Sequence, residues 1–209
     1  MPTAGTKPRA GRGSERARAM LEAATDVFIE KGYAAASLDD VIARAGGSRR
    51  TLYERFTNKQ GLFTAVVEAL IADILARMAA AEVEDVDLED GLVAMGTGFL
   101  TALLAPRTVA AFRMVIAEIP QFPELGRAFF EAGPEAAYRR VEDLLRRHAE
   151  RRALRADDLH LAARQFVEMI KGDLHLRALL CAADPPAAGE IERHVRAATG
   201  TFLDGVART

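Results

Sequence analysis

The sequence predicts an all-α protein, and three observations carry that prediction. Alanine, leucine, glutamate and arginine dominate a chain in which half of the residues are hydrophobic and 28% are charged, a soluble, globular composition rich in helix formers. Apolar residues recur at three- and four-residue spacing in one segment after another, while β-branched runs alternating with polar residues are hard to find. Glycine and proline fall mostly at the boundaries of those segments. At 209 residues the chain can bury a sizeable core and more than one small domain needs.

Residues 1–13 (MPTAGTKPRAGRG) combine Pro, Gly and small residues with Lys7, Arg9 and Arg12, and read as a disordered basic arm. A helix is expected from about Ser14, whose hydroxyl suits an N-cap. Met20, Leu21, Ala24, Val27 and Phe28 form its apolar stripe, and Gly32 suits its C-terminal stop. Ser37-Leu38-Asp39-Asp40 then reads as a capping-box start, with Asp at the third helical position. Leu38, Val41, Ile42 and Ala45 give that short helix one apolar face. Ala45-Gly46-Gly47-Ser48 supplies a terminating glycine and a new N-cap, and Arg49 to Phe56 forms the next helix, with Leu52 and Phe56 inward. Two short helices joined so tightly, over roughly Ser37 to Phe56, are the helix-turn-helix pattern. The N-terminal domain is expected over 14–60.

Asn58 caps a longer helix carrying Leu62, Phe63, Val66, Val67, Leu70, Ile74, Leu75 and Met78, expected to run to about Ala80 and span roughly 30–35 Å. Glu82 to Asp87 is the expected loop after it. Further helices are expected at about 88–104, 107–118, 123–132, 134–152, 157–181 and 187–206, punctuated by Pro106, Pro120, Pro123, Pro134 and Pro185-Pro186. Together these make about nine or ten helices, with a larger helical domain over 61–209.

Charge is unevenly shared. Residues 1–60 hold 11 Lys and Arg against 7 Asp and Glu, and the remainder holds 17 against 23. A basic first part suggests a polyanionic partner. The lone cysteine, Cys181, cannot form an internal disulfide and is most simply a small packed side chain. No apolar stretch of signal-peptide type follows the basic N-terminus, and no run reaches about 18 apolar residues, so a cytoplasmic location without a membrane partner is expected. His148, His160, His175 and His194 are scattered, with no His-Glu-x-x-His run, phosphate loop or nucleophile elbow. An enzyme is therefore not expected, nor a metal site or a cofactor. A helical interaction protein without DNA is the other rival, and salt-sensitive duplex binding separates the two.

Leu21-Glu22-Ala23-Ala24, Phe28-Ile29-Glu30-Lys31-Gly32-Tyr33, Ser37-Leu38-Asp39-Asp40-Val41-Ile42, the run Ala45 to Phe56, and Asn58-Lys59 closely resemble the DNA-binding domain of the TetR family over about 16–66. Phe112-Arg113-Met114-Val115-Ile116-Ala117-Glu118, Phe122-Pro123-Glu124-Leu125, Phe129-Phe130-Glu131 and Ala156-Asp157-Asp158 resemble the ligand-binding domain of its AefR-like subgroup. The resemblance implies a homodimer built through helices about 157–181 and 187–206, a small-molecule effector, and repression as the common mode. Leu159, Ala162, Phe166, Ile170 and Leu174, and likewise Ile191, Val195, Ala198 and Phe202, form apolar faces at helical spacing. Such faces suit a dimer interface or a monomer core.

In a helix-turn-helix the second helix enters the major groove of double-stranded DNA, and a dimer reads a pseudo-palindromic operator. Arg49 and Arg50 are the candidates for base readout, since the guanidinium fork matches guanine O6 and N7. Ser48 and Tyr53 are candidates for phosphate contacts and Thr51 for a thymine-methyl or phosphate contact, and Ser37 and Lys59 resemble the family's outer phosphate clamps. A lysine at a helix N-terminus is unfavourable unless an anion is near. Gly47 and Arg50 depart from the family's usual aliphatic and small residues, so site preference does not transfer from a relative. Candidate ligand contacts are Phe99, Phe112, Arg113, Ile116, Tyr138, Phe166 and Met169, with Met95, Leu103 and Phe130 as further lining residues. Arg113, Glu118 and Gln165 lie in apolar neighbourhoods, where a buried polar group needs a partner; for Arg113 and Glu118 a neighbouring helix is the expected source.

Overall fold

The computed structural model describes residues 10–46, 48–79, 87–149, 158–181, 186–187 and 189–206. These residues form ten α-helices and no strand: α1 (Ala10–Ala35), α2 (Leu38–Ala45), α3 (Arg49–Phe56), α4 (Lys59–Ala79), α5 (Leu88–Leu103), α6 (Pro106–Glu118), α7 (Pro123–Ala132), α8 (Pro134–Ala149), α9 (Leu159–Cys181) and α10 (Glu190–Val206). The chain divides into two compact units, Met1–Ala69 and Leu70–Thr209.

In the first unit, α1 begins at Ala10, four residues before the expected Ser14 cap. No proline lies between the two positions, and each added residue gains a backbone hydrogen bond once a helix is nucleated. Residues 10–13 of the expected arm therefore belong to α1, and residues 1–9 lie outside the described residues, as does Gly47. Gly32 interrupts α1 with φ 74°, a backbone that a side chain would strain. Met20, Val27, Phe28, Val41, Leu52, Leu62, Phe63 and Val66 are all buried. The Phe28 and Phe63 rings meet edge-on at 5.4 Å, and Tyr33 closes the cluster at 4.8 Å from Phe63. This packing draws the first half of α4 into the N-terminal unit, which ends at Ala69.

In the second unit, α8 packs along α9, and α10 lies against α5 and α9. Their apolar stripes converge on one core that includes Leu88, Leu92, Met95, Leu100, Val141, Leu145, Phe166, Ile170, Val195 and Phe202. The expected dimer faces are thus spent inside the protomer. Ala162, Phe166, Ile170 and Leu174 of α9 and Val195, Ala198 and Phe202 of α10 are all buried, because α10 lies close enough to α5 that a Cβ on Gly96 would sit 2.8 Å from Val195 Cγ1. What α9 leaves exposed is a different stripe: Leu161, Met169, Leu176 and Leu180. The acidic loop expected at Glu82 to Asp87 lies outside the described residues except for Asp87, which caps α5 by accepting from the Glu89 N–H at 3.1 Å. The expected segment 150–152 of α8 lies outside them too. α10 starts three residues later than expected, at Glu190, whose carboxylate accepts the Ala187 N–H at 3.0 Å.

Candidate nucleic-acid interface and ligand cavity

The capping box predicted for α2 is complete. Asp40 N–H donates to Ser37 Oγ at 3.2 Å, and Ser37 N–H donates back to Asp40 Oδ2 at 3.0 Å. Lys31 of α1 binds the same carboxylate through Oδ1 at 2.6 Å. That pair, with help from Ser37, holds the Asp40 carboxyl down to about 2. Arg44 grips Glu30 with both guanidinium ends, at 2.9 and 2.7 Å, fixing α2 on α1 a second time. α2 ends at Gly46, whose φ of 68° lets its N–H reach Ile42 O at 3.0 Å; only glycine enters that region without strain. Ser48 then caps α3 by accepting the Thr51 N–H at 3.3 Å and shares a hydrogen bond with the Thr51 hydroxyl at 3.0 Å.

Leu52 and Phe56 are buried, so α3 turns its other side outward. Arg49, Arg50 and Tyr53 stand there, with Tyr53 51% exposed. Both arginines are already paired. Arg49 forks onto Asp39 of α2 at 2.8 and 2.5 Å, and Arg50 reaches Glu54 one turn along at 2.7 Å. Both pairs are exposed to water, where such contacts are weak and readily exchanged. Lys59 has a local use that its sequence position did not reveal. Its ammonium lies 4.6 Å over the Tyr33 ring and donates to Ala34 O at 3.0 Å, at the C-terminal end of α1. That carbonyl and the ring offset the unfavourable start of α4. Ser37, Ser48 and Thr51 are thus engaged in caps, whereas Arg49, Arg50 and Tyr53 present an outward face.

The second unit contains an open cavity, about 480 Å³ when the solvent in its mouth is counted. Ile71, Ile74 and Leu75 of α4, Phe99 and Leu103 of α5, Phe112 of α6, Phe129 of α7 and Val167 of α9 make its apolar walls. Tyr138, Glu168, Lys171 and His175 also line it. Of the expected ligand contacts, Phe99, Phe112 and Tyr138 border this space, and so does Leu103. The others do not. Phe166 is wholly buried in the core against Phe202, Met95 is buried in the same core, and Ile116, Phe130 and Met169 are exposed. Arg113 donates to Leu179 O and Ala178 O at 2.8 and 2.7 Å, joining α6 to the carbonyl-rich end of α9, the neighbouring-helix partner anticipated for it. Gln165 is exposed.

His175, one of the four scattered histidines of the sequence, is the cavity group that apolar periodicity does not single out. Glu168, Lys171 and His175 fall at i, i+3 and i+7, one face of α9, and that spacing was the available signal. Burial, reinforced by the Lys171 charge and opposed by Glu168, pushes the imidazole down to about 4. In the unfolded chain it titrates near the ordinary 6.5, so as pH falls the unfolded state takes up the proton first. Stability is therefore expected to fall as pH drops from about 6.5 to about 4. Urea midpoints measured across that range should show a flatter decline for His175→Phe than for the parent; parallel declines would mean that His175 does not titrate this way.

A tightly capped helix-turn-helix with an outward basic face, followed by a helical unit that encloses a cavity, defines a DNA-binding regulator of transcription. The family follows from the comparisons. Residues 20–66 match the model of bacterial regulatory proteins of the tetR family. Residues 90–205 match the C-terminal domain of AefR-like transcriptional repressors. The chain belongs to the TetR family, with an AefR-like C-terminal domain. It is 37% identical over 62 residues to the HTH-type transcriptional activator FasR of Mycolicibacterium smegmatis, a match covering 30% of this chain and 28% of that protein. A TetR-family regulator structure from Mesorhizobium loti superposes with a TM-score of 0.84 at 26% identity, over 94% of this chain and 99% of that one. The flavonoid-responsive regulator FrrA gives 0.73 at 29% identity, over 93% and 98%. Among the described residues no single helix is long and apolar enough to cross a membrane.

Proposed function

We propose that this protein is a homodimeric, cytoplasmic repressor that reads a pseudo-palindromic operator and is released from it by a small molecule bound in the cavity of the second unit. The observation that carries the DNA reading is the outer face of α3, where Arg49, Arg50 and Tyr53 stand exposed on a helix whose other side is fixed by Leu52 and Phe56. For the dimer, the exposed stripe Leu161, Met169, Leu176 and Leu180 on α9 supplies the apolar surface that a second copy would cover. Catalysis has no part in this reading.

The effector acts by shifting a population. Two recognition helices must lie about 34–36 Å apart to read half-sites one turn apart. α4 supplies Lys59 at its start and the cavity residues Ile71, Ile74 and Leu75 further along, so a ligand that prefers one setting of α4 favours one spacing of the readers. A ligand with equal affinity for both settings would change nothing. The match to AefR-like repressors supports repression; FasR, named an activator, marks the opposite sign as the outcome to test. FrrA's description as flavonoid-responsive favours a small organic effector.

The decisive experiment is salt-dependent binding to duplexes from the protein's own promoter region. Affinity should fall steeply as salt rises, because phosphate neutralisation releases counterions. Lys59→Ala should reduce the slope of log affinity against log salt by about 1, and Tyr53→Phe should weaken all duplexes alike. An unchanged slope would confine Lys59 to its contact with Tyr33 and Ala34. Salt-insensitive or absent duplex binding would remove the regulator reading altogether.

A further inference from the structure

One residue of the cavity lining carries a buried polar atom with nothing to bond. His175 Nε2 is buried and lacks a hydrogen-bond partner among the described residues, a condition that native proteins rarely leave unresolved. Its ring stands perpendicular to Phe112 at 5.2 Å, and Phe112 in turn meets Phe129 edge-on at 4.9 Å. The other polar groups of the lining satisfy one another. Lys171 Nζ lies 2.7 Å from Glu168 Oε1, and the Tyr138 hydroxyl donates to the same oxygen at 2.9 Å. Lys171 and Glu168 cancel in charge, and burial keeps His175 neutral. The cavity therefore offers aromatic and aliphatic walls, no net charge, and one unsatisfied hydrogen-bonding atom.

We propose that the cavity takes a neutral, hydroxylated aromatic molecule, its ring against Phe99, Phe112 and Phe129 and its hydroxyl hydrogen-bonded to His175 Nε2. This rests on the cavity being the effector site. The chemistry of the lining selects each part of the ligand. A plain hydrocarbon fills the walls but leaves His175 orphaned. A carboxylate brings a charge that the self-cancelled Lys171–Glu168 pair does not balance, and so loses its hydration without compensation. Aromatic rings suit the existing edge-to-face arrangement of Phe112, Phe129 and His175.

The chain contains no tryptophan, so naphthalene-type fluorescence is read against tyrosine alone. Titration of the full-length protein with 2-naphthol, naphthalene and 2-naphthoate should give 2-naphthol an affinity roughly tenfold above either of the others, the value of one net hydrogen bond. His175→Phe, which keeps a ring against Phe112, should bring 2-naphthol down to the level of naphthalene. Equal binding of 2-naphthol and naphthalene by the parent would overturn the His175 anchor while leaving an apolar effector cavity in place. Tighter binding of 2-naphthoate would overturn the neutral-ligand assignment. Failure of all three to bind would overturn the cavity as effector site together with this inference. The parent series decides between these outcomes even if the variant does not fold.

Discussion

Replacing Phe28 by alanine is expected to destabilise the N-terminal unit by about 3–5 kcal/mol, the usual cost of deleting a fully buried phenyl ring. Phe28 is 1% exposed, and its ring packs 5.4 Å from Phe63 and 5.8 Å from Tyr33. Those two neighbours belong to α4 and to the end of α1, so the cavity left behind loosens the junction on which α2 and α3 are mounted. Tyr33 also carries the Lys59 ammonium, and the loss reaches the start of α4 by that route. At roughly 4–8 °C per kcal/mol for a unit of this size, the melting transition of this unit should drop by at least about 12 °C. Duplex binding should vanish at temperatures where the parent still binds. Thermal unfolding followed by circular dichroism, with binding measured in parallel, checks both; a drop below about 4 °C would mean that α1 and α4 repack around the gap.

The second large effect is on specificity. Arg49→Ala should relax preference at one base position per half-site by roughly 5- to 150-fold, the range for a bidentate arginine–guanine contact. In the free protein the fork is held by Asp39 at 2.8 and 2.5 Å. The pair orients the guanidinium outward, and because it is solvated its exchange for a base edge is inexpensive. Asp39→Ala should accordingly keep the preferred base but raise affinity for unrelated duplexes, since it removes a negative charge beside the outward face of α3. A systematic single-base scan of the operator separates these outcomes. A uniform loss over all sequences for Arg49→Ala would make Arg49 a phosphate contact instead of a reader.

These two predictions draw on features that were unequally visible in the chain. Phe28 sits in a helical stripe with Met20, Leu21, Ala24 and Val27, and its inward direction follows from spacing alone. The Asp39 partner of Arg49 does not follow from spacing. The two residues are ten apart on different helices, and only the turn at Gly46 brings their side chains together. The same limit applies to Lys59. Its place at a helix start was legible, but the carbonyl of Ala34, 25 residues earlier, becomes its neighbour only when α1 and α4 pack.

About nine or ten helices, most of their boundaries to within a few residues, the Ser37 and Ser48 caps and the tight turn between α2 and α3 were legible in the sequence; the Ser14 cap was not realised, since α1 begins at Ala10. The legible features depend on local chemistry: side-chain caps, proline exclusion, glycine at positive φ and a 3.6-residue apolar period. The sequence also placed Phe99, Phe112 and Tyr138 among the cavity candidates. The tertiary structure alone decided which of several apolar faces went inward. Phe166 and Ile170 passed to the core and Leu161, Leu176 and Leu180 to the outside, because α10 closes on α5 and occupies the first face. It decided too that His175 would stand at the cavity wall with a bare nitrogen. Periodicity reports that a face is apolar; what lies opposite that face is set by long-range packing, which no local pattern encodes.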